Sequence, residues 1–169
     1  MQAEGEGIVV EGIVTSDTPL SFDEFFIDQH ERLYRALYFV TGSRQDAEEL
    51  MQDAFLKLWE RWDRIGEIDD AEGYLYRVAL NGFRMRARRA KVAAKHLMVM
   101  GATPDPFADV DLKQDLHRLL LQLSPRQRAA VVLTDVYGYS SEQAGQMMGI
   151  RPTTVRVLAS QGRAAMRAT

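Results

Sequence analysis

The chain has 169 residues, 46% hydrophobic and 27% charged, which suits one medium domain or two small ones. It has no cysteine, which excludes a disulfide framework, a thiol switch and a thiolate zinc site. The net charge of −3 is unevenly spread: residues 1–111 hold thirteen basic and twenty-one acidic side chains, whereas 112–169 hold eight basic and three acidic. The aliphatic run Ile8–Val10 is too short for a signal-peptide core and no stretch is long enough to span a bilayer, so a cytoplasmic protein without membrane insertion is expected.

Residues 1–20 are acidic and rich in glycine, and they read as a mobile tail. Ser21 opens a first helix, because Ser21 to Glu24 has capping-box spacing and acids suit the positive end of a helix. Phe25, Phe26, Leu33, Leu37 and Val40 form its expected buried face, and Gly42 its stop. Ser43 caps a second helix, expected from about Arg44 to Trp62, with Ala47, Leu50, Met51, Ala54, Leu58 and Trp62 inward. Its other face carries Glu49, Gln52, Asp53, Leu56 and Glu60, an acidic strip around one apolar residue. A solvated acidic face explains that strip, and so does a docking face for a basic partner. Asp63 to Asp70 reads as a loop.

From Gly73 to Lys95 the chain holds seven basic residues and no acid. On a helix, Arg77, Asn81, Arg84, Arg88, Lys91 and Lys95 fall on one stripe, opposite Leu75, Val78 and Ala79. Such a row of cations repels itself, and a polyanion removes the repulsion. Tyr74 shares the side of Arg77 and Asn81, with Tyr76 and Phe83 close in sequence. Cations, flat rings and an amide together provide phosphate neutralisation, stacking and hydrogen bonds for unstacked single-stranded bases.

Residues 97–111 lose periodicity at Gly101, Pro104 and Pro106 and read as a flexible linker between two helical domains, 21–96 and 112–169. The second domain begins with Leu112, Leu116, Leu119, Leu120 and Leu123 on one face. Ser124-Pro125 restarts a helix that buries Ala129, Val132, Leu133 and Val136 and ends at Gly138. Ser140 to Gln143 repeats the capping box, Gly149 ends a short helix, and Pro152 starts a last one with Val155, Leu158 and Ala159 inward. Short helix, glycine turn and second helix form the helix-turn-helix pattern. The expected fold is therefore all-α, in two small helical domains.

No constellation for catalysis emerges. His30, His96 and His117 are scattered, Glu48-Glu49 and Asp69-Asp70 are sequence neighbours best read as solvated, Ser160 has no evident base, and neither a P-loop nor a GxGxxG fingerprint is present. A protein without enzymatic activity, metal or cofactor is expected.

Three stretches together resemble the extracytoplasmic-function (ECF) RNA polymerase sigma factors, over about Phe22 to Arg167. Asp46 to Arg64, DAEELMQDAFLKLWERWDR, is similar to the family segment that binds the β′ clamp helices of RNA polymerase. Gly73 to Asn81, GYLYRVALN, is similar to the segment that melts and reads the minus-ten promoter element. Leu123 to Leu158 resembles the helix-turn-helix domain that reads the minus-thirty-five element. The resemblance implies core-polymerase contacts by Asp46, Glu49, Gln52, Asp53, Leu56 and Glu60, with the β flap as a second polymerase contact. It implies minus-ten contacts by Tyr74, Arg77, Asn81, Arg84, Arg88 and Lys91. Minus-thirty-five contacts would come from Arg151, Thr153, Thr154, Arg156, Ser160 and Arg163. Promoter DNA, core polymerase and an anti-sigma factor are the implied partners. Ala71 and Tyr74, at the basic helix, and Leu158, Ser160 and Gln161, in the last helix, depart from residues frequent in the family, and the last three imply weak upstream contact. Two other readings remain open at this stage: a helix-turn-helix regulator that never meets polymerase, and a sigma-like decoy that sequesters a regulator.

Overall fold

A computed structural model describes residues 21–67, 70–94 and 112–169, and among these residues every regular element is helical. The expected tail (1–20) and linker (97–111) lie outside the described residues, as does Lys95. Helix α1 spans Phe22–Thr41, α2 Arg44–Trp59 and α3 Ala71–Ala94. Helices α4 (Leu112–Leu121), α5 (Pro125–Val131), α6 (Ser141–Met148) and α7 (Pro152–Arg167) follow.

The caps follow from local chemistry. Ser21, Ser124 and Ser140 each form a reciprocal capping box with Glu24, Gln127 and Gln143, satisfying N–H groups that the first helical turn leaves without partners. Asp70 caps α3, its carboxylate accepting from the Gly73 N–H at 2.8 Å.

Three expectations are corrected. Helix α2 ends at Trp59, and Trp62–Glu67, expected as helix end and loop, form a 3-10 segment. Phe26, expected inside, is 37% exposed, with its ring stacked on His30 and edge-on to Phe55. Val136 is 40% exposed because α5 widens into a π-helical segment, Val132–Val136, closed by the Tyr137 N–H to Val132 carbonyl bond at 3.1 Å. The wider turn shifts the register and swings Val136 outward.

Phe25, Leu33, Leu37 and Val40 of α1 pack on Ala47, Leu50, Ala54, Phe55 and Leu58 of α2 and on Leu75, Tyr76, Ala79 and Leu80 of α3. Leu120, Leu123, Ala130, Val132, Leu133, Met147, Val155 and Ala159 fill the C-terminal block. The two sets merge into one core: α4 and α5 lie on α1, and α6 lies on α3. His117 of α4 stacks on Tyr38 of α1, ring centroids 4.7 Å apart.

Arg128 of α5 is buried at that junction. Its guanidinium donates to the carbonyls of Val40 (2.7 Å), Leu120 (2.9 Å), Leu123 (3.0 Å) and Leu121 (3.4 Å). The carbonyl ends of α1 and α4 carry the negative pole of the helix dipole, so they solvate a charge that burial would otherwise exclude. Burial lowers its pKa from the ordinary arginine value.

A second seam joins α1, α3 and the turn before α6. The Arg32 guanidinium lies over the rings of Tyr137 and Tyr139, 5.4 and 5.2 Å from their centroids. Tyr137 donates to the Arg32 carbonyl at 3.3 Å, Tyr139 donates to the Glu72 carboxylate, and the Tyr76 ring meets Tyr139 edge-on at 5.7 Å.

Candidate nucleic-acid interface and docking face

Helix α2 and its C-cap Glu60 turn Asp46, Glu49, Gln52, Asp53, Leu56 and Glu60 to solvent, as the periodicity predicts. Leu56 is 59% exposed, and Trp59, which the sequence reading did not assign to this face, is 57% exposed beside it. Part of the strip is met from within the chain. Arg86 of α3 bridges Asp46 (3.3 Å), Glu49 (2.9 Å) and Asp53 (3.6 Å). The hydrogen bond from Gln45, then Arg86, hold the Glu49 carboxyl below the usual carboxylate range. Arg86 is two residues from Arg84 and therefore faces away from the cationic stripe, a signal that was present in the sequence. To one side of this bridge remain Leu56, Trp59 and Glu60, two apolar groups and an acid.

On α3, Arg77, Arg84, Arg88 and Lys91 are exposed, and Tyr74 and Asn81 are half-buried. Asn81 accepts a hydrogen bond from Arg84 at 3.2 Å, and the Arg61 guanidinium lies 5.9 Å from the Tyr74 ring centroid. Tyr76, read from sequence as a ring near the cationic groove, is 1% exposed and belongs to the core; only Phe83 lines the groove. That groove, about 650 Å³, has Leu80, Phe83, Met148 and Ile150 as its apolar floor and Arg84, Arg88, Lys91 and Arg126 on its rim. A neighbouring groove is lined by Arg77 together with Gly149, Ile150, Arg151 and Pro152. The stripe on α3 and the start of α7 therefore share one cleft.

The helix-turn-helix depends on a close approach: a Cβ at Gly145 would lie 2.8 Å from the Ile150 carbonyl oxygen. Gly149, at φ 66°, then reverses the chain into α7. Arg151, Thr153, Arg156, Ser160 and Arg163 are exposed and Thr154 is half-buried. Two of the cations are held by acids of the same block, Arg156 by Glu142 at 3.4 Å and Arg163 by Asp135 at 3.0 Å. Leu158 packs against the core. Among the described residues there is no group of three or more His, Asp or Glu side chains that could hold a metal ion, and no helix is long and apolar enough to cross a membrane.

A helix-turn-helix on one block and a cationic helix on the other define a class of DNA-facing helical protein. Comparison with known proteins makes this specific. The family model for Sigma-70 region 2 matches residues 26–92, and that for Sigma-70, region 4 matches 113–166. The ECF RNA polymerase sigma factor SigE of Mycolicibacterium smegmatis is 33% identical over 156 residues, covering 87% of this chain and 60% of its own. SigM of Mycobacterium tuberculosis is 30% identical over 145 residues, covering 85% of this chain and 74% of its own. Among solved structures, the sigma factor RpoE of Bartonella quintana, in complex with the anti-sigma factor NepR, superposes with a TM-score of 0.71 at 22% identity, covering 87% of this chain and 94% of that one. The chain belongs to the sigma-70 family of RNA polymerase sigma factors, in its ECF group.

Proposed function

We propose that this chain binds core RNA polymerase and directs it to a class of promoters, taking part in promoter melting, with no catalysis of its own and in the cytoplasm. The observation that carries the reading is the occurrence of both sigma regions, in order, on one chain of the ECF group. In this reading residues 21–96 dock on polymerase and hold the minus-ten element, residues 97–111 connect, and residues 112–169 read the minus-thirty-five element. Asp46, Glu49, Gln52, Asp53, Leu56 and Glu60 meet the β′ clamp helices, and Trp59 joins them. Tyr74, Arg77, Asn81, Arg84, Arg88 and Lys91 meet the melted strand. Arg151, Thr153, Thr154, Arg156, Ser160 and Arg163 meet duplex DNA, and the β flap supports that block.

Exposed Leu56 and Trp59 within an acidic strip support a protein partner at α2, which a regulator acting without polymerase does not need. An anti-sigma factor is proposed as a further partner. Support comes from fold neighbours solved as complexes: RpoE with NepR, and CnrH with the cytosolic domain of CnrY. Run-off transcription with core enzyme on genomic fragments tests the function. Discrete start sites that appear only when the chain is added are expected, and their absence, with core enzyme shown active, refutes it.

A further inference from the structure

On α7 one large apolar side chain stands in water. Val157 is 54% exposed, and helical spacing surrounds it with Thr153, Thr154, Ser160 and Gln161. An isolated exposed valine is ordinary on a protein surface. Here its setting is informative, because the cations along one edge of this face, seven residues apart, are paired within the free chain: Arg156 with Glu142, and Arg163 with both oxygens of Asp135 at 3.0 and 3.2 Å. Beside that edge lies an uncharged face with methyl groups on Thr153 and Val157, one turn apart, about 6 Å along the axis. Base pairs rise about 3.4 Å apiece, so two methyls at that spacing span about two base-pair steps of a duplex.

We infer that Val157 is a specificity-determining residue of the upstream reader, packing on the C5-methyl group of a thymine in the major groove. The inference rests on the proposed promoter reading of 112–169 and deepens it. The chemistry selects the base. In the major groove thymine alone offers a methyl group, whereas guanine is read mainly by paired cationic donors, which this face lacks at its centre. Valine has no hydrogen-bonding group, so it contributes discrimination only where an apolar surface meets it, and water is displaced from both when the methyls touch.

Deoxyuridine differs from thymidine by this methyl alone. The full chain, bound to core polymerase, selects duplexes from a random pool. The enriched upstream element is then resynthesised with deoxyuridine at one thymine at a time. For the native chain, one position should bind about fourfold more weakly as deoxyuridine, the worth of one buried methyl. Val157→Ser should bind the thymine duplex about as weakly and show no further loss with deoxyuridine. Val157→Thr, which keeps a methyl group, should retain the discrimination. Native binding indifferent to every replacement, or a Val157→Ser chain that still discriminates, overturns the assignment while leaving promoter recognition intact. Failure to enrich any duplex overturns the promoter reading and this assignment with it.

Discussion

Asp53 illustrates how one residue serves two neighbours. It belongs to the proposed docking strip, and its carboxylate also lies 3.6 Å from Arg86. Reversing its charge would set a cation against Arg86 and mix the two roles, so Asp53→Asn is the cleaner change. With the carboxylate 64% exposed, the lost ion pair should lower stability by less than about 1 kcal/mol. Polymerase binding should weaken by several-fold, chiefly through slower association, because a steering charge is gone. Thermal melting and a titration with labelled core enzyme separate the two effects. Unchanged affinity would remove Asp53 from the docking face. Arg128 makes the complementary point, since a buried arginine among four carbonyls is a structural junction and no part of the DNA surface despite its place in a basic block.

Gly162 shows at the level of helices why sequence reading stops short. Propensity alone expects Gly162→Ala to stabilise α7 by about 1 kcal/mol. The packing reverses the sign, because a Cβ at 162 would lie 2.7 Å from a methyl of Val131 and 3.3 Å from Leu123. Val131 is buried and β-branched, with little room to turn. Gly162→Ala should therefore destabilise by roughly 1–3 kcal/mol, read as a lower melting temperature. A higher one would show that α7 can move away from α5. The caps, the helix-turn-helix and the exposed faces of α2, α3 and α7 were all legible, because each is encoded within a few residues. The π-helical segment after α5, the burial of Tyr76, the outward turn of Phe26 and the acids that Arg86 meets were not. Each depends on a partner tens of residues away, or on a local widening that no periodicity announces.

As a whole the molecule brings its two proposed DNA surfaces together. Arg77 and Arg151, assigned to two different promoter elements, line one groove. By their names those elements lie about 25 base pairs apart, roughly 85 Å of duplex. A compact chain of this length has a radius of gyration of about 15 Å. On those assignments one closed molecule cannot reach both, and the blocks are expected to part on a promoter. The absence of native cysteine allows a dye pair at Met85→Cys and Ala164→Cys, both at exposed positions. Energy transfer should be high in the free chain and fall when core polymerase and promoter are added. Constant transfer throughout would mean that the arrangement persists on DNA.

The tyrosine seam then acts as a weight on an equilibrium. Burial, then the hydrogen bond to Glu72, push the Tyr139 hydroxyl up to about 12, and burial does the same for Tyr137. A raised value means that the folded seam favours the protonated hydroxyls. Their contribution is whole below pH 10 and disappears as pH rises through 12, so at neutral pH nothing is lost. A partner that accepts only the open chain meets an affinity reduced by the open fraction, a hundredfold if one molecule in a hundred is open. Tyr139→Phe removes a hydrogen bond to a carboxylate, worth about 1.4 kcal/mol or tenfold in population. It should tighten apparent polymerase binding by up to that factor with every docking residue unchanged, and equal titration curves would rule this out. On the proposed reading, the contact between Tyr139 and Glu72 thus contributes, with the Arg128 junction, to how much of the chain is open to polymerase, a rationing that requires no second protein.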